Sequence, residues 1–99
     1  MNNSVTLVFE KSLNSLAGYD FGQRVYHEQA EGILDISKEY TVIFPDAIEM
    51  VAASFAQGFF SSIIEQIGLS KMEKRTVIKC SSKFLADNIK KKALQGLNY

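Results

Sequence analysis

The chain has no tryptophan, one proline, one cysteine and one histidine in 99 residues. A single cysteine excludes an intramolecular disulfide. A single histidine with a single cysteine cannot furnish the usual zinc ligand set. Glycine is scarce and scattered: Gly18 and Gly22 form neither a dinucleotide-binding fingerprint nor a phosphate-binding loop. Net charge is also absent, because eleven basic residues balance eleven acidic ones. No long apolar run exists, since the most hydrophobic stretch is interrupted by Gln57, Gly58, Ser61 and Ser62. That is far short of a membrane-spanning helix. Met1 to Lys11 has neither a basic leader nor a long apolar core, so no signal peptide is expected and the cytoplasm is the default location.

What is present is enough for a core. Hydrophobic residues make up 46% of the chain and aromatic ones 11%, which suits one folded domain over residues 1–99. The charge is unevenly placed. Residues 1–70 hold three basic residues against nine acidic ones; residues 71–99 hold eight against two.

The chain turns on Val42 to Gly68, which reads as a strand, a turn and a helix. With Phe55 as origin and 100° per residue, Phe55, Ala56, Phe59, Phe60, Ile63, Ile64 and Ile67 fill one half of the helical wheel. So wide a stripe predicts a helix laid on a sheet. Ser54-Phe55-Ala56-Gln57 has capping-box spacing, which predicts Ser54 as N-cap with Gln57 reaching back to it. Gly68 is the predicted stop. Gly58 costs about 1 kcal/mol in a helix interior, so it predicts close approach of another helix or chain.

Around this unit, Val5 to Phe9 alternates as a strand. Lys11 to Gly18 reads as a loop. Asp20-Phe21-Gly22-Gln23 opens a predicted helix to about Leu34, with Phe21, Val25, Tyr26 and Ile33 inward. Tyr40 to Phe44 is continuously apolar apart from Thr41, as a central strand is. Pro45-Asp46 ends it, and Met50-Val51 reads as a short extended turn. Ser70 to Arg75 is a charged connection with room for one helical turn. Thr76 to Cys80 is the third strand. Ser81 or Ser82 caps a last helix with Phe84, Leu85, Ile89 and Ala93 inward; Gly96 ends it before a tail from Leu97 to Tyr99. The fold class is therefore α/β, in β-α-β-α-β-α order. The sheet is mixed or mostly parallel, with Tyr40–Phe44 and Thr76–Cys80 parallel and interior, and helices mainly on one face.

Val42-Ile43-Phe44-Pro45-Asp46-Ala47-Ile48, continued through Ser54-Phe55-Ala56, resembles the STAS domain family, the anti-sigma-factor-antagonist fold, and more closely its small bacterial STAS-like subfamily. The resemblance spans residues 18–95 by element order, with the motif itself confined to about fifteen residues. It aligns Ala47 with a small turn residue and Ser54 with the family's phosphoacceptor serine. Phe44 stands where the family has a strand-end aspartate, Ala52-Ala53 where it has Asp-Ser, and Gln57-Gly58 where the subfamily has an acidic pair. The resemblance implies a regulatory protein-interaction module, not an enzyme, whose partner is an anti-sigma factor or a histidine-kinase-like ATPase. Docking would centre on Ser54, Gln57, Gly58 and Ser61, with Ser54 as candidate phosphoacceptor; a homo-oligomer stays open. No cofactor or metal is expected.

Other chemistry has less behind it. Cys80 and His27 lack the surroundings of a cysteine hydrolase, and a cysteine ending an apolar strand is ordinarily a small buried hydrophobe. Lys90-Lys91-Lys92, with Lys74, Arg75, Lys79 and Lys83, offers two alternatives: a nucleic-acid patch, or cations placed at the negative end of a helix dipole. A phage or mobile-element adaptor without phosphorylation is a further alternative on the same scaffold.

Overall fold

Burial alternates along two of the three strands of the main sheet because only one side of it is covered. The computed structural model describes residues 3–95. β1 (Ser4–Thr6), β3 (Tyr40–Ile43) and β5 (Thr76–Lys79) form a parallel sheet in the order β1-β3-β5. Val5, Leu7, Tyr40, Val42, Phe44 and Thr76 lie on the covered side and are buried. Thr6, Val8 and Lys79 lie on the other side and are exposed, with Thr41, Ile43 and Val77 half-buried. This is the period-2 pattern of a sheet with one solvated face.

The covered side carries α1 (Tyr19–Val25), α2 (Ala53–Ile67) and α4 (Lys83–Gln95). α3 (Leu69–Arg75) links α2 to β5 and buries Met72. Gly68, at φ +86°, ends α2 and starts α3, a turn that L side chains adopt at a cost. Phe55, Ala56, Phe59, Phe60 and Ile63 are all buried, as the wheel predicts. The protein is thus an α/β domain with four α-helices and small parallel sheets among the described residues. The predicted Gly96 stop and the tail to Tyr99 lie outside those residues.

Several expectations need correction. β5 is parallel to β3 as predicted, but it is an edge strand and not interior, because β1 takes the other side of β3. The segment read as a loop contains β2 (Ser15–Leu16), which pairs in parallel with β4 (Met50–Val51). Strands of two residues carry too little alternation to be seen in a sequence. The charged connection is a seven-residue helix, α3. Ile33 is 62% exposed rather than inward. The helix predicted to reach about Leu34 ends at Ala30 in a π-helical turn, Tyr26–Ala30, where the Glu31 N–H bonds the Tyr26 carbonyl at 2.9 Å, and Ile33 lies in the following turn with its N–H on the Ala30 carbonyl at 3.0 Å. A stripe extrapolated at 3.6 residues per turn has no face to follow once the helix has ended. Phe84 is 81% exposed. Ser82 does cap α4, accepting the Leu85 N–H at 3.0 Å. The buried stripe of α4 is then only Leu85, Ile89 and Ala93, because that helix lies at the border of the layer.

β3 and β5 are also joined through side chains. The fully buried Tyr40 hydroxyl hydrogen-bonds the Thr76 hydroxyl across the pair. Burial pushes the Tyr40 phenol up to about 12, against the pull of the Thr76 bond. Tyr26 is also raised, by burial and by nearby Glu31. A raised folded-state value means that the unfolded chain ionises first. The stability from a neutral Tyr40 is therefore complete below about pH 10 and lost as pH rises towards 12. We expect the melting temperature to fall across that window, with a slope from Tyr40 of at most about 1.4 kcal/mol per pH unit. Tyr40→Phe should flatten the decline in part, Tyr26 supplying the rest. It should also lower stability at neutral pH by about 1–3 kcal/mol, since the buried Thr76 hydroxyl loses its partner. Equal alkaline slopes for the two proteins would contradict this assignment.

Candidate functional site

The two-stranded β2–β4 ladder brings the starts of α1 and α2 together. Its Leu16 and Val51 side chains are fully buried, and it is extended by Glu49 N–H to Asn14 O at 2.7 Å and Ala52 N–H to Leu16 O at 2.8 Å. Gly18 then turns the chain into α1 at φ +105°. From this common origin α1 packs against α2.

Ser54 sits where they meet. It is half-buried, and its hydroxyl oxygen accepts the Gly18 N–H at 2.9 Å. The predicted capping box does not form. The N-cap of α2 is Ala52, without a side-chain cap, so Ser54 is the second residue of the helix. The cause lies upstream: the bond from Ala52 to Leu16 holds Ala52 extended (φ −71°, ψ 153°), and the helix begins as soon as β4 ends. The spare hydroxyl ties down the neighbouring helix instead of its own. On the side of α1, Gly18 is the N-cap and Asp20 lies within the first turn.

Gly58 and Ser61 follow Ser54 at the spacing of one helix face. Gly58 is buried by this chain's own α1: a Cβ there would lie 2.0 Å from the Tyr19 carbonyl oxygen. Gly22 answers from α1, where a Cβ would lie 2.3 Å from the Phe55 carbonyl oxygen. The close approach expected of Gly58 is thus helix against helix within the domain. The Ser61 hydroxyl donates to the Gly58 carbonyl at 2.8 Å and accepts from the Gln23 amide at 3.5 Å. Gln57 is half-buried one turn into α2. The structure therefore brings Ser54, Gly58 and Ser61 together as one seam beneath α1.

Next to the helix starts in the chain, two large apolar side chains are exposed, Tyr19 at 45% and Met50 at 53%. Tyr19 follows the Gly18 that Ser54 holds, and Met50 precedes the start of α2. Sequence reasoning missed both. Met50 carried a faint signal, since it alternates with the buried Val51; Tyr19 carried none.

The remaining candidates separate. The exposed His27 pairs with Glu31 at 2.9 Å one turn along its own helix. Cys80 is half-buried and its thiol donates to the Ser82 carbonyl at 3.2 Å. Neither is the other's hydrogen-bond partner. Of the lysine run, Lys90 bonds the Thr76 carbonyl at 2.7 Å and Lys92 bonds the Val51 carbonyl at 2.8 Å, leaving Lys91 exposed. Two of the three cations thus stitch α4 to the rest of the domain. Among the described residues no group of three histidine, cysteine or acidic side chains is placed to hold a metal ion, and no helix is long and apolar enough to cross a membrane. No family model, curated protein or solved structure matches the chain.

Proposed function

We propose that this chain is a non-catalytic regulatory domain of STAS-like build, which docks a protein partner around the paired starts of α1 and α2. The partner implied by the sequence resemblance is an anti-sigma factor or a histidine-kinase-like ATPase. One observation carries the reading: the Ser54 hydroxyl is the tie between the two helix starts, and exposed Tyr19 and Met50 flank them. A phosphate on Ser54 would bring close to two negative charges to the positive ends of two helices. It would also need room that the Gly18 turn now occupies, so modification would move the start of α1 and the surface beside it.

A second reading, an adaptor that docks without phosphorylation, is favoured by the half-burial of Ser54 and by Ala52-Ala53 in front of it. One pair of variants separates the two. Ser54→Ala removes the acceptor and strands the Gly18 N–H, for an expected loss of about 1–2 kcal/mol. Ser54→Asp keeps an acceptor at a helix N-terminus and should melt close to wild type. The partner is identified by photocrosslinking in the host cell from a reactive residue at Tyr19, then purified and titrated. Under the phosphorylation reading, Ser54→Asp weakens that partner about tenfold or more, which is 1.4 kcal/mol. Equal affinity for wild type and Ser54→Asp selects the phosphorylation-free adaptor. No crosslinked protein from Tyr19 would remove the docking surface altogether.

A further inference from the structure

We propose that the outer edge of β5, where it runs beside α4, takes up an extended acidic segment of a partner protein as a fourth strand of the sheet. This surface is separate from the starts of α1 and α2 and does not depend on the reading of Ser54.

Among the described residues β5 has one neighbour, β3. In a parallel ladder the N–H and C=O of one residue point the same way, and successive residues alternate. Lys79 accepts the Phe44 N–H, so Lys79 and Val77 face β3. Thr76 and Ile78 therefore face outward. The Thr76 carbonyl is occupied by Lys90, which itself marks that edge as the outer one. Ile78 presents both its donor and its acceptor to the outside. An open groove of about 520 Å³ runs along this edge, with α4 as its far wall. Strand edge on one side and helix on the other is the arrangement in which an added strand gains main-chain bonds and side-chain pockets together.

The charge of the groove selects the occupant. α4 lines it with Lys83, Ala86, Asp87 and Lys90, one face of the helix at i, i+3, i+4 and i+7. Lys79 stands on the rim, so three cations face one carboxylate. A second copy laid on this edge would bring the Lys79, Lys83 and Lys90 cations of both copies into one groove, and juxtaposed like charges disfavour it. The same lysines that guard the edge against self-association attract an acidic strand. The register states what that strand should look like. A residue opposite Ile78 points towards α4, where Ala86 leaves space for a small apolar side chain. Its two neighbours point to the other face of the sheet, beside Val77 and Lys79, where one acidic side chain can pair.

The test is selection of a random dodecamer library on the immobilised full chain, followed by titration of the enriched peptides into isotope-labelled protein. The expected result is enrichment of acidic residues alternating with small apolar ones, and a shift of the Ile78 amide resonance on binding. Ile78→Pro removes the outward donor and breaks no internal ladder bond, so an edge strand tolerates it. It should weaken the selected peptides about tenfold or more. Lys79→Glu with Lys83→Glu leaves the main chain intact and covers the case in which the proline variant does not fold; it should weaken them as much. Enriched peptides without acidic bias, or acidic peptides held equally by both variants, overturn the proposal. So does a dimer that forms on concentration and is broken by Ile78→Pro, which would assign the edge to a second copy.

Discussion

Gly58→Ala should strongly destabilise the domain, although alanine is the better helix former. Alanine gains about 1 kcal/mol of intrinsic helix propensity over glycine. Against this, its methyl carbon would lie 2.0 Å from the Tyr19 carbonyl oxygen and 2.8 Å from the Tyr19 carbonyl carbon. Both are main-chain atoms, so no side chain can swing aside. α1 must move, and it is held at Gly18 by Ser54 and along its length by Gly22 against the main chain of Phe55 and Phe59. Overpacking a core costs about 1–3 kcal/mol where side chains can adjust. With main chain on both sides we expect about 3 kcal/mol or more net, read by denaturant melts. Gly22→Ala should cost a similar amount. The double variant should cost clearly less than the two together, because the first substitution has already opened the seam. Gly32→Ala is the control, since nothing lies within 4 Å of a Cβ there. A Gly58→Ala protein as stable as wild type would show that the seam is looser than described.

Phe59→Ala is the second large effect, with an expected loss of about 3–5 kcal/mol. Phe59 is fully buried and touches four aromatic rings: Tyr26 edge-on at 5.5 Å, Phe60 at 4.8 Å, Phe55 stacked at 6.2 Å and Phe44 tilted at 6.4 Å. These four come from the end of β3, from α2 itself and from the π-helical turn. A cavity left there cannot close by the movement of one element. A domain of this size has about 5–15 kcal/mol in total, so the loss consumes much of it. Phe59→Leu, which refills most of the volume, should recover more than half. If Phe59→Ala costs no more than an exposed substitution such as Phe84→Ala, the rings around Phe59 do not form the centre of the core.

The elements with strong periodicity were legible and those set by tertiary contact were not. The α2 stripe is visible because five of its residues answer to one buried face. Val5 and Leu7 are visible for the same reason at period two, whereas Tyr40 to Phe44 reads as a continuous apolar run whose alternate burial only the one-sided covering of the sheet sets. Ser54 was found as a residue but given the wrong partner. Its spacing to Gln57 is a local pattern, whereas its bond runs to Gly18, 36 residues away. Gly58 signalled a close approach without saying whose backbone would make it. The π-helical turn, the β2–β4 ladder and the edge position of β5 depend on contacts between distant segments, to which hydrophobic periodicity is blind.

Among the described residues the sheet has no hairpin: Tyr40 and Thr76, partners across β3 and β5, are 36 residues apart. No strand pair can therefore form from a short loop, and each pairing must close a long segment first. On the ribosome this has a direct consequence. Until residues 76–79 have emerged, one edge of the Tyr40–Ile43 strand has no neighbour, beside the apolar Phe44. An unpaired apolar strand edge is the species that aggregates during synthesis. Premature termination within α3 would release a chain holding all its aromatic core residues, with its central strand bare on one side.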